Sequence, residues 1–131
     1  MESLFTRIVQ RQLPAHIVAE DAAHLAFLDI APAAWGHTLV IPKEQVDYLF
    51  DLSGAQLAAL MAFARRVAHA LQAVVPCKRV GLAVLGLEVP HVHLHLVPIQ
   101  KESDLNVAAP RARAQQHKLA ALATALAEAL R

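Results

Sequence analysis

The segment His91-Val92-His93-Leu94-His95-Leu96-Val97-Pro98 constrains this chain more than any other. Polar and apolar residues alternate strictly from His91 to Leu96. A period of two is the signature of a strand, whose successive side chains face opposite sides. His91, His93 and His95 therefore share one face, and Val92, Leu94 and Leu96 the other. Same-face neighbours stand roughly 6.5–7 Å apart. An apolar strand face needs a packed layer against it, so the chain must fold as a sheet with a cover. The three imidazoles are then expected to line an open surface or groove.

Three uses of such a row compete. One is simple solvation of a half-buried strand, but Ser, Thr or Lys would serve equally well. A second is metal ligation, since closely set histidines are common ligands. Yet residues i and i+4 on a regular strand are ~13 Å apart, too far to share one ion at N–metal distances of about 2.0–2.1 Å. The third is catalysis by an imidazole nucleophile supported by its neighbours, with a ring pKa of about 6.5 suited to neutral pH.

The rest of the chain supplies the sheet and its cover. Residues 3–12 read as a short helix or turn before Pro14. Residues 16–20, 24–30, 37–41, 79–85 and 91–99 read as strands, with Leu25, Phe27 and Asp29 on one face of the second. Pro32 and Gly36 bracket a turn. Ser53 and Gln56 form a capping box. It opens a helix with apolar residues at Leu57, Leu60, Met61, Ala64, Val67, Ala68, Leu71 and Val74, which Pro76 ends. A last helix is expected over about 112–130, with Leu119, Leu122, Leu126 and Leu130 on one stripe covering core. This order predicts an α+β fold: about five mainly antiparallel strands, one long central helix and a C-terminal helix.

Composition narrows the function class. The 131 residues suit a single domain. Hydrophobic residues make up 56%, but 27 of the 131 are alanine, and without them the share is roughly 35%. No apolar run reaches the ~18–20 residues of a membrane span. Twelve basic against 11 acidic residues argue against nucleic acid as partner. Arg65-Arg66, Lys78-Arg79 and Arg111/Arg113 are short basic pairs of the kind solvent usually takes. The single cysteine, Cys77, and the lack of a secretory pattern after Met1 point to a reducing cytoplasm.

Several blocks in order resemble the histidine-triad (HIT) superfamily, most closely its bacterial Hint-like branch. They are Ser3-Leu4-Phe5-Thr6-Arg7-Ile8-Val9 with Leu13-Pro14-Ala15, then Ala26-Phe27-Leu28-Asp29-Ile30. Gly36-His37-Thr38-Leu39-Val40-Ile41-Pro42-Lys43 follows, then Gly86-Leu87-Glu88-Val89-Pro90 and the histidines. The likeness spans roughly residues 3–106. It implies a HIT-like fold and hydrolysis or transfer at the α-phosphorus of a nucleotide, such as a nucleoside phosphoramidate or an adenylylated compound. In that reading His93 is the nucleophile and forms a nucleotidyl-imidazole. His91 holds its neighbours in register, His95 aids proton traffic, and His37 buttresses His91. Asp29 binds the ribose hydroxyls. Phe5, Ile8, Phe27 and Ile30 wall the base, and the Gly86–Val89 turn, with Glu88 and Val89, faces phosphate. The family's habit also implies a homodimer through the long helix and a sheet edge, and no cofactor.

Two departures matter. Ser3 and Thr6 stand where some relatives carry a Cys-x-x-Cys zinc pair, so no structural zinc is expected. Ala83 and Leu87 stand near positions where the Hint-like pattern has Asn and Gln. The alternative is therefore a purine-nucleotide-binding protein with weak or no turnover. A metal-dependent hydrolase on a distorted strand is a third reading.

Overall fold

A computed structural model describes all 131 residues. Helix α1 (Leu4–Val9) is capped by the Ser3 side chain, which accepts from the Thr6 N–H. Five strands follow: β1 (Ile17–Glu20), β2 (His24–Leu28), β3 (Thr38–Pro42), β4 (Arg79–Ala83) and β5 (Leu94–Ile99). Helix α2 (Gly54–Val74) lies between β3 and β4, and α3 (Gln116–Ala129) ends the chain. The Ser53–Gln56 capping box is present, with both reciprocal bonds made. No helix is long and apolar enough to cross a membrane.

The sheet order is β1-β2-β3-β5-β4, and every neighbouring pair is antiparallel. Strand parity sorts its side chains into two layers. Ala26, Leu28, Val40, Leu94 and Leu96 join α2 and α3 in the main core, where Leu60, Val67, Leu71 and Leu126 are fully buried. Leu25, Phe27, Leu39 and Ile41 point the other way and pack with Phe5 and Ile8 of α1. Central strands are thus buried on both faces, so β2 and β3 read as apolar runs rather than alternating ones.

On α2 the buried face includes Leu60, Ala64, Val67 and Leu71 as expected, and also Phe63 and Ala70, whereas Met61 is exposed. On α3 the stripe Leu119, Leu122, Leu126 packs on the core and Leu130 is half-buried against it.

Several boundaries differ from expectation: α1 is shorter than residues 3–12, and β4 ends at Ala83 rather than at residue 85. Strand β5 starts at Leu94, not His91. Its partner β3 ends at Pro42, which has no N–H to offer and whose carbonyl accepts from the His91 ring instead. The Val92 N–H goes to the Val46 carbonyl. Strand β2 stops at Leu28, so Asp29 lies just past it. Helix α3 starts at Gln116, because residues 107–115 run as an irregular strap whose Ala114 N–H bonds the Ile30 carbonyl.

Candidate active site

The parity that buries Leu94 and Leu96 under α2 turns His95 to the opposite face, between Leu39 on β3 and Ala83 on β4. His91 and His93 keep that side although they precede the strand. Of the open surface or groove expected for the histidines, the structure shows a groove, which His93 and His95 line while mostly buried, and His91 and His37 are buried behind it. Phe5 of α1 lies edge-on to both His91 and His93, with centroids 5.9 and 5.0 Å away. The helix that covers the second core layer thereby roofs the histidines.

Their hydrogen bonds fix the ring tautomers. His93 Nδ1 lies 2.6 Å from the His91 carbonyl, which can only accept, so Nδ1 carries the proton and Nε2 keeps a lone pair. His91 Nε2 donates to the Pro42 carbonyl at 2.7 Å, and its Nδ1 accepts from the Ser3 hydroxyl at 2.7 Å. His37 Nδ1 accepts the Ala33 N–H, so its Nε2 donates to His95 Nδ1 at 2.9 Å. His95 is left with a proton on Nε2. The Nε2 atoms of His93 and His95 have no protein partner, and no fully buried polar side-chain atom is unpaired, so both face solvent space.

A lone pair and an N–H donor thus stand side by side, on rings 5.0 Å apart. Burial, reinforced by Arg111, pushes the His37 pKa down to about 3. Burial and the neighbouring His37 and His93 push His95 down to about 4. Burial lowers His91 as well. These three rings are neutral near pH 7.

His37 is placed differently from expectation. It supports His95, while His91 is held by Ser3 and Pro42. The reason is register: His37 precedes Thr38, which pairs with Leu96, so it lies beside the residues after the histidine row.

Both free nitrogens open into a cleft of about 190 Å³ lined by His93, His95, Asp29, the Leu85–Val89 turn and the strap residues Val107, Ala108 and Arg111. An apolar groove of about 350 Å³ adjoins it, lined by Phe5, Ile8, Leu13, Phe27, Ile30 and others. The two share Phe5, Asp29, Leu39 and Val89. Asp29 stands at the junction of the two. Of the residues named from sequence, His93, His95, Asp29, Phe5, Ile8, Phe27, Ile30, Glu88 and Val89 line the two grooves, and His91 and His37 lie behind the wall. Arg111, a member of a basic pair that the sequence assigns to solvent, is in the cleft: it donates to His37 Nδ1 at 3.0 Å and pairs with Asp29 at 3.3 Å. Its only sequence signal was a place in a basic pair.

A family profile described as the HIT domain matches residues 10–102. The chain belongs to the HIT family. Adenosine 5′-monophosphoramidase of Schizosaccharomyces pombe is 36% identical over 104 residues, covering 78% of this chain and 77% of that protein. A HIT-like protein of Mycobacterium tuberculosis is 35% identical over 113 residues, covering 82% and 78%. A zinc-bound histidine triad family protein of Mycobacterium smegmatis has a similar solved structure. Its TM-score is 0.82 at 29% identity, over 99% of this chain and 94% of that one.

Two places in this HIT protein bear on metal binding. Around His91 the donors are the Ser3 and Thr6 hydroxyls and the Gln45 amide oxygen, already bonded to one another and to the ring. That set has no thiolate and does not fit a structural zinc. Asp29, His37 and His95 bring three donor atoms within 4.8 Å of one another. The Arg111 guanidinium already supplies positive charge there, and both His37 nitrogens are engaged.

Proposed function

We propose that this HIT protein hydrolyses or transfers at the α-phosphorus of nucleoside phosphoramidates or adenylylated compounds, through a nucleotidyl-imidazole on His93. The observation that carries the reading is the His93 ring, locked by the His91 carbonyl with its Nε2 lone pair facing the cleft. The names of the phosphoramidase relatives support the substrate class. Nε2 attacks phosphorus, and the P–N or P–O bond to the leaving group breaks. The leaving group departs with a proton, and the adjacent His95 Nε2–H is placed to donate it. His93 keeps its Nδ1 proton, so the P–imidazole bond breaks readily when water attacks and gives a proton back to His95 Nε2, yielding the nucleoside monophosphate and the enzyme in its starting tautomers. Splitting one displacement into two is the gain of covalent catalysis. Asp29 accepts from the ribose hydroxyls, Ile8, Phe27 and Ile30 wall the base, and the Gly86–Val89 amides, with Glu88 at the rim, face phosphate.

The test is turnover of adenosine 5′-phosphoramidate by wild type and His93→Ala. Loss of nearly all turnover in the variant is expected, and equal rates would overturn the reading. Ala83, directly opposite His95, and Leu87, 91% exposed, favour a second reading of nucleotide binding with weak turnover, since neither offers a side-chain amide to ribose or phosphate. Micromolar AMP binding without turnover would identify it. We further propose a cytoplasmic homodimer paired along β4. That strand is an outer edge of the sheet, with Leu82 exposed on it and Tyr48 and Phe50 exposed nearby across the Val84–Gly86 turn.

A further inference from the structure

Arg111 is the only cationic side chain lining the histidine cleft, against two carboxylates, Asp29 and Glu88. The buried rings of His37, His91 and His95 add no charge near neutral pH. A phosphate group entering the cleft therefore meets N–H donors but one full positive charge. That charge is engaged in the ligand-free protein. The guanidinium bonds Asp29 Oδ2 and His37 Nδ1, and its side chain is 19% exposed. Asp29 is also the carboxylate at the junction of the two grooves, so a ribose diol and Arg111 compete for one acceptor. The arginine can yield: it sits on the strap between buried Val107 and the Ala114–Ile30 bond, with no helix or strand to fix it. A guanidinium has five donors in a planar fork suited to phosphate oxygens.

We propose that Arg111 is the phosphate-reading cation of this cleft, released from Asp29 when a ribose diol takes that carboxylate and turned onto the oxygens of the attached phosphate. The proposal rests on the reading of the cleft as a nucleotide site. It adds that the cleft selects ligands carrying diol and phosphate together, because each frees a partner for the other. A free nucleoside must displace Arg111 from Asp29 with nothing to receive it. Inorganic phosphate leaves the Asp29 pair intact.

Calorimetry with AMP and adenosine, on wild type, Arg111→Ala and Arg111→Lys, tests this. In wild type AMP binds more tightly than adenosine. Arg111→Ala weakens AMP binding by about 10-fold or more, the scale of a lost bond to a charged group. The same change leaves adenosine binding unchanged or tighter, since Asp29 is freed. Arg111→Lys, a charge without the fork, falls between. Adenosine binding also serves as the check that the variant is folded. Equal loss for both ligands would mean that the arginine merely braces the strap, and unchanged AMP affinity would mean that it does not reach phosphate. Either overturns the proposal while leaving the nucleotide site standing. Failure of wild type to bind AMP at all would overturn the site reading, and this proposal with it.

Discussion

Ser3 illustrates how one residue ties local structure to chemistry. Its hydroxyl oxygen accepts the Thr6 N–H as the N-cap of α1, and its proton goes to His91 Nδ1. The His91 carbonyl in turn holds the His93 ring. Replacing Ser3 by alanine removes a cap worth about 1 kcal/mol and leaves a buried ring nitrogen short of its donor, at about 1–3 kcal/mol. The Thr6 hydroxyl, 3.3 Å from the same nitrogen, recovers part of that by turning its proton away from Gln45. Ser3→Ala is thus expected to destabilise by about 2 kcal/mol, and Ser3→Thr, which keeps both bonds, by much less. Thermal melts of the two variants check this, and equal loss would remove Ser3 from the account. In sequence the residue stands out as the start of the opening block and as a missing cysteine, with nothing to tie it to His91. What replaced the thiolate became clear once α1 was placed against His91, a contact 88 residues apart along the chain.

At the scale of elements, legibility followed the range of the interactions. The Ser53 capping box and the α2 periodicity are local, and they predicted that helix closely. Alternation at 91–96 correctly sorted the histidines from the apolar side chains. It misplaced the strand start, because Pro42 on another strand decides where pairing ends. The partner of His37 was likewise missed, since register between β3 and β5 is set by long-range packing. The strap before α3 carries no periodicity, so Arg111 could not be placed from sequence. The β2–β3 connection holds one position that backbone physics dictates. Gly36 has φ +95°, and a Cβ there would come 2.9 Å from Pro98 Cγ and 3.1 Å from Val75 Cγ2. Both strain and crowding oppose any side chain, just before His37. Gly36→Ala is expected to cost about 2 kcal/mol or more, lowering Tm by several degrees. It should also lower turnover, because β3 shifts relative to β5 and His37 with it. An unchanged melting curve would show that the connection relaxes freely.

Across the whole molecule, the sheet carries a closed apolar core on one face and a roofed polar site on the other. His37, His91 and His95 are neutral because they are buried, and this couples the fold to acid. In the unfolded chain His37 and His95 titrate near 6.5, while in the folded protein they do so at about 3 and about 4. Between those limits the unfolded state binds protons that the folded state refuses, so stability falls as pH falls. The penalty begins near pH 6.5 and is complete only below the folded values. At pH 5 it amounts to about 2 kcal/mol per ring, since each pH unit below the unfolded pKa costs about 1.4 kcal/mol. The lowered carboxylates Glu20, Asp21 and Asp104 also lose stability on acidification, but only around and below their ordinary values of 3.8 to 4.5. The window from pH 7 to 5 therefore reports the histidines. Tm is expected to drop by several degrees across it, and His37→Gln to remove part of that drop while His95 and His91 keep the rest. A wild-type Tm that stays level from pH 7 to 5 would mean that the rings take up protons in the folded protein, and the neutral His37–His95 pair would have to be given up.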